Sequence, residues 1–221
     1  MYIYIKAPSF KIEEIKEILK EDQEAGLGEI LEENENSVSY YNYELAIGAT
    51  MTFRGDAICT REELMGLIIT KDEVWTKEKV ADVIIAAYGD TLADAMCVVR
   101  AIILIDNNND LDDACRNLFP DSDWEQVFSS EDIDENMVGQ NIYDYQTPIV
   151  HLGNIRKNSD DEEMYMDGVG CTIIHELRHC MLDCNPILSE EEYAVELGKE
   201  ENVEDFCRRQ WDRVRADFVI Q

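Results

Sequence analysis

The sequence predicts an α+β protein of two parts: an α-rich N-terminal module over residues 1–118, and a C-terminal domain over residues 119–221. In the second part a small sheet with an edge strand should lie beside a long helix, which packs on another helix. Three observations predict it. Short alternating stretches rich in Tyr, Ile and Val read as strands near the N-terminus and at 147–155. A series of capped segments with apolar residues three and four apart reads as helices over 60–118. Two longer helical patterns follow at 167–184 and 200–218, with an asparagine and a proline closing the first.

Taken in order, Met1-Tyr-Ile-Tyr-Ile-Lys6 alternates and predicts a strand. Ile12, Ile15, Ile18 and Leu19 predict a helix, which Leu27, Ile30 and Leu31 would resume. Val38–Ile47 and Thr50–Phe53 predict strands, punctuated by Gly48 and Gly55. Thr60 with Glu63 forms the capping-box pattern ahead of Leu64, Leu67 and Ile68. Thr76 should cap a helix through Val80, Val83, Ile84 and Ala87, closed at Gly89. Thr91 should open a third, running through Ala95, Val98 and Ile102 to Ile105, and a short helix should end at Phe119 before Pro120. Residues 121–146 are polar and acidic and read as a link or a cover for the cleft. Asn158–Glu163 reads as a loop, and Asp167-Gly168 as the start of the next helix.

The chain has 221 residues and a formal net charge of −30. The charge is spread along it, with 24 acidic against 11 basic residues in 1–118 and 25 against 8 in 119–221. Such a surface repels nucleic-acid phosphate and anionic membranes, so direct nucleic-acid binding and membrane attachment are not expected, and basic partners or substrates are favoured. The seven cysteines are odd in number and scattered, as in a reduced cytoplasmic protein and unlike a secreted disulfide scaffold. Neither a signal-peptide pattern at Met1 nor an apolar run long enough for a bilayer is present.

Chemistry concentrates at His175-Glu176-Leu177-Arg178-His179, which holds two of the three histidines. On a helix, positions i and i+4 return to nearly the same face about 6 Å apart along the axis. Two imidazoles so placed can share one Zn²⁺, each nitrogen roughly 2.0–2.1 Å from it. Glu176, beside that face, is placed to take a proton from an attacking water. Ile173, Ile174, Leu177 and Met181 supply an apolar stripe on the opposite face. This HExxH motif resembles that of the zincin metallopeptidases, in which an edge strand runs beside the motif helix; here that strand is expected at 147–155.

A catalytic zinc usually takes three protein ligands. The metzincin extension would need Gly where Leu182 stands and His where Asn185 stands, so the gluzincin type fits better. That type takes a Glu from a second helix some twenty residues later. Glu201, 22 residues after His179 with Asp205 four positions on, fits it, Asp205 then orienting a metal-bound histidine. Glu204, Glu196 and Glu192 compete for the same role, whereas Asp183 lies too far along the helix. Together with Asn202-Val-Glu-Asp-Phe206, the motif also resembles phage metallopeptidases over roughly residues 145–215.

The resemblance implies a zinc-dependent peptidase: His175, His179 and Glu201 on Zn²⁺, Glu176 as general base, and a peptide or protein substrate against the edge strand. Cys180 and Cys184 fit no familiar zinc spacing. His151 reads as a buried histidine or a substrate-side group, and Tyr165, Tyr193 and Arg208 are candidates for transition-state stabilisation by chemistry alone. The alternative function is an acidic, phage-type binding or inhibitor protein, with the charge imitating a DNA backbone; residues 117–155 contain eight acids and no Lys or Arg.

Overall fold

The computed structural model describes residues 2–8, 12–54, 60–89, 92, 99–118, 136–142, 146–183 and 200–219. For residues 2–8, 53, 54, 108, 142, 181–183, 200–202 and 219 it describes the backbone alone. The fold is α+β, with two four-stranded sheets and eight helices among the described residues.

The first sheet is built from β1 (Tyr2–Pro8), β2 (Gly28–Asn34), β3 (Ser37–Asn42) and β4 (Ile47–Arg54), in the order β1-β4-β3-β2. A two-residue turn joins β2 to β3, pairing Asn34 with Ser37, and β1 returns parallel to β4. Such a return needs a crossover, which α1 (Ile12–Glu24) supplies. Helix α1 buries Ile15 and Leu19 against Val38, Tyr40 and Met51. Lys16 lays its stem along this small core and donates from Nζ to the Asn34 carbonyl at 2.8 Å.

Within the part expected to be α-rich, residues 1–118, the stretch 2–54 is β-rich. The misread stretch is Leu27–Leu31, whose apolar spacing also suits a helix. Pairing with β3 holds it as β2, and partners outweigh local preference in strands.

The second sheet runs β5 (Ile68–Ile69), β6 (Ile102–Ile105), β8 (Thr147–His151), β7 (Gly139–Ile142). The first three are parallel and β7 is antiparallel to β8. Both faces are covered. Ile102, Leu104, Val150 and Leu152 share a core with α2 (Arg61–Leu67), α3 (Lys77–Tyr88), α6 (Glu162–Asp183) and α7 (Glu200–Val214). On the other face Ile103, Ile105 and Ile149 pack on Leu111, Ala114 and Cys115 of α4 (Asn108–Leu118). Double-sided burial explains why Ile102–Ile105 reads as part of a helix and is a strand: a run without polar alternation suits either. The short helices α5 (Leu152–Lys157) and α8 (Ala216–Val219) complete the set.

The expected boundary at residue 118 runs through this second sheet, because β5 and β6 pair with β8 across it. The large core likewise draws on Leu64 and on Val214. The two cores share no residue: the small one draws on Ile15 to Met51 and the large one on Leu64 to Val214. Other expectations hold: Thr60 and Glu63 form the capping box, Thr76 caps α3 and Gly89 closes it. Helix α6 begins at Glu162, one turn before its expected start. No helix among the described residues is long and apolar enough to cross a membrane.

His151 shares the face of Ile149, two residues before it, and so lies on the α4 side of the sheet. It is 3% exposed, with no hydrogen-bond partner at Nε2. Burial lowers its pKa to about 4. The folded chain thus keeps the ring neutral where an unfolded chain binds a proton, and this group costs stability as pH falls from about 6.5 to about 4. His151→Leu is expected to remove up to about 3 kcal/mol of that acid-side loss, read by urea unfolding at pH 7 and pH 4.5. An unchanged difference between the two pH values would assign the loss elsewhere.

Candidate metal centre and active site

Helix α6 is 22 residues long. Ile173, Ile174 and Leu177 are each 0–1% exposed within the large core. Each contributes roughly 2–3 kcal/mol of burial as an upper bound. That anchoring fixes which face turns the other way, and it is the face of the histidines. His175 Nε2 and His179 Nε2 stand 3.0 Å apart, with ring centroids 4.6 Å apart. Two nitrogens tetrahedrally disposed at zinc-ligand distance would be about 3.3 Å apart. The two ring nitrogens are thus at hydrogen-bond distance, a little closer than two ligands of one zinc would stand.

Glu176 is 7% exposed, and the strand beside it is β7. A Cβ on Gly139 would overlap the Glu176 carboxylate and approach the Thr172 methyl at 2.6 Å. Only a residue without a side chain brings the strand this close to the helix. The Thr172 hydroxyl turns back to the Gly168 carbonyl at 2.7 Å. The expected edge strand at 147–155 is thus corrected: β8 lies inside the sheet between β6 and β7, residues 152–157 are helical, and β7 is the outer strand among the described residues.

Helix α7 runs along α6 and seals it with Val203, Cys207, Trp211 and Val214. The Trp211 ring lies on Gly170, and its Nε1 donates to Asp167 at 2.9 Å. Arg215 donates to Asp167 at 2.8 Å and to Glu163 at 2.9 Å. Further along, the Arg178 guanidinium covers the Phe206 ring at 4.8 Å. Gly170 against Trp211 and Arg178 against Phe206 show the helices to be antiparallel. The N-terminal turn of α7 therefore falls beyond Arg178, at the His179 end of the motif.

Glu201 is in that turn, with the backbone alone described. Seven residues come within about 20° of two full turns, so position 200, more nearly than 201, stands in line with Cys207. Asp205 is exposed on α7, and Cys207 on the same helix hydrogen-bonds His175. Of the competitors, Glu204 is exposed, while Glu192 and Glu196 lie outside the described residues, as do Tyr193 and Cys184. Among the described residues no three His, Cys, Asp or Glu side chains gather as a metal-holding group.

Sequence reasoning missed Cys171 and Cys207. They sit one on each helix, hydrogen-bonded to each other. The Cys171 hydrogen bond, with a further one from His175, holds the Cys207 thiol below its usual range against the opposing effect of burial. The Cys171 thiol is pushed up, first by that same bond and then by burial. No motif spacing joins residues 36 apart; the only signal was the placement of Cys207 on the apolar side of α7. Cys180 is fully buried in the core. Tyr165 stands ten residues, about 15 Å of helix, before His175 and accepts from Arg156 at 2.9 Å. Arg208 is exposed.

No protein-family model, curated protein or solved structure matches the chain. Gly139→Ala is expected to cost about 1–3 kcal/mol, because helix or strand must shift to admit the methyl. Urea unfolding would measure it, and an unchanged midpoint would mean that β7 is not seated against Glu176.

Proposed function

We propose that this protein is a zinc-dependent peptidase with a zincin-like C-terminal domain of gluzincin type. The observation that carries the reading is the 3.0 Å approach of His175 Nε2 to His179 Nε2, with a buried Glu176 one residue on and an edge strand against it. The donors suit the metal: two neutral imidazoles are borderline ligands of the kind Zn²⁺ takes, and a carboxylate from the first turn of α7 would be the third. When bound, Zn²⁺ supplies Lewis-acid polarisation of a carbonyl and a water of lowered pKa.

Glu176 takes the proton of the attacking water and returns it to the leaving amine. Its packing against Gly139 limits the directions in which the carboxylate can point. A substrate chain adds along β7 as a further antiparallel strand, exchanging main-chain hydrogen bonds with it.

Protein purified without chelating resin is expected to hold close to one zinc per chain. His175→Ala should abolish zinc binding, and Glu200→Gln and Glu201→Gln tested side by side identify the third ligand. Glu176→Gln should retain zinc while hydrolysis of a peptide library falls on the order of 10²–10⁴-fold. Absence of zinc, both as purified and after titration, sinks the metalloprotein reading; a wild type that holds zinc and cleaves nothing sinks the peptidase.

A second reading, an acidic binding or inhibitor protein using the domain as a scaffold, is favoured by the −30 charge. The first module presents Glu13, Glu14, Glu17, Glu21, Glu32 and Glu35 to solvent. If the charge selects a partner, the immobilised protein retains nucleic-acid-binding proteins and releases them as salt rises. A pull-down with no enrichment of basic proteins assigns the charge to solubility.

A further inference from the structure

We propose that the face of the first sheet turned away from α1 is a docking site for an extended, arginine-rich segment of a partner protein. The site lies where β2 begins and β3 ends, and is made of Leu27, Glu29, Tyr41 and Tyr43, with Leu45 in the turn that follows. None of these residues belongs to the proposed zinc site, so the two readings stand or fall separately. This one gives the acidic-binder reading a place and a partner chemistry.

Strand pairing sets which residues share the face. Val38, Tyr40 and Met51 pack on α1, so side chains one position out of step point the other way. Tyr41 is one of these, and Glu29 is its cross-strand partner. Tyr43 follows two residues on. Its ring meets Tyr41 edge to face with centroids 6.0 Å apart, and its hydroxyl donates to Glu29 at 3.3 Å. Its N–H donates to the Leu27 carbonyl at 2.9 Å, which brings Leu27 alongside. Tyr43 is 51% exposed, Leu45 68% and Leu27 38%. Ser39 and Thr50, hydrogen-bonded at 2.8 Å, continue the face with half-buried polar side chains.

Exposed apolar and aromatic residues gathered in one place mark an interaction site, whereas single ones scattered over a surface do not. Tyrosine offers a large contact area at little conformational cost and is enriched where proteins meet. Among the described residues β2 is the outer strand of its sheet, so an extended segment can lie beside it. The register shift between Ile30 and Glu32 interrupts that edge. Recognition therefore falls to side chains more than to a long main-chain ladder.

Charge selects the occupant. Between Lys20 and Arg54 the sequence holds eight acidic residues and no Lys or Arg. Lys16 and Lys20 reach Glu33 from the α1 side, while Glu29, Glu32 and Glu44 are exposed. A second copy of the chain would bring the same charges face to face, and nucleic acid or an anionic membrane would be repelled likewise. An arginine-rich segment answers both features of the face. Its guanidinium stacks on tyrosine rings and forks onto a carboxylate, while apolar neighbours cover the leucines. Lysine has neither the plane nor the fork.

The test titrates the full chain with a fluorescein-labelled peptide alternating Arg with Val, read by anisotropy, and with the same peptide carrying Lys for Arg. The Arg peptide should bind more tightly, and equal affinities would overturn the proposal. Tyr43→Ala and Glu29→Gln should each weaken binding about 5–30-fold. Glu13→Gln with Glu17→Gln, exposed acids of α1, should leave it near wild type. An equal loss from the α1 pair would reduce the binding to attraction by net charge, and a Tyr43→Ala chain that binds like wild type would remove the face; either overturns the proposal. Sedimentation of the chain alone tests the rival occupant, since self-association abolished by Tyr43→Ala would assign the face to a second copy. Should the variants fail to fold, ¹⁵N shift mapping of wild type decides. Peptide-induced changes confined to residues 27–45 support the proposal, and changes spread over the acidic faces, or none, overturn it.

Discussion

The antiparallel seam between α6 and α7 is the constraint on which the rest of the C-terminal architecture depends. At Gly170 the absence of a side chain lets the Trp211 ring lie on the helix backbone, and the buried indole N–H is satisfied by Asp167. A buried Trp with its N–H unpaired would forfeit much of the gain of burying the ring. The aspartate's other oxygen takes Arg215. This seam sets the register of the two helices at their far end from the histidines. Everything toward the motif follows by helical arithmetic: Cys207 meets Cys171 and His175, Phe206 meets Arg178, and the first turn of α7 arrives at His179.

The sheet imposes the second constraint, on Glu176. An acidic side chain 93% removed from solvent is stable only where its surroundings suit it. The fold puts it between a helix anchored by three core side chains and an edge strand that has no Cβ at the contact. Among the described residues β7 is outermost and antiparallel to β8. The same strand confines the proposed base and, on the peptidase reading, is the one to which a substrate chain would add.

What was legible in the sequence was local. Caps at Thr60 and Thr76, the stripe of Ile173, Ile174 and Leu177, and the i, i+4 histidines depend on neighbours within two turns, and all appear where their spacing puts them. What was not legible depends on partners distant in the chain. Ile102–Ile105 has the composition of a buried helix or a buried strand, and only pairing with residues 149–151 decides it. The edge strand was assigned to β8 because β8 is the apolar one. Gly139-Gln-Asn-Ile142 is polar and short, as edges often are, and it sits in a stretch dominated by acids. The Cys171–Cys207 contact joins two helices through a register that a glycine and a tryptophan set elsewhere.

The charge of −30 bears on the same architecture through the few bases available to oppose it. Several of the 19 basic residues stand at junctions between elements. Arg61 ties α2 to α3 through Asp82. Arg156 joins Asp72 and Asp106 from separate loops and stacks on Tyr165 of α6. Arg213 donates to the last carbonyls of α3, at Ala86 and Ala87, where a cation also suits the helix dipole. Lys71 reaches Asp110 on α4. Exposed pairs of this kind add little stability one at a time. Their placement matters more, because repulsion among the remaining acids acts over a Debye length of about 8 Å at physiological salt, whereas these contacts act at about 3 Å, where elements would otherwise part. The acidic surplus is left on outward faces such as α1 and β2, where water screens it and a basic partner can reach it.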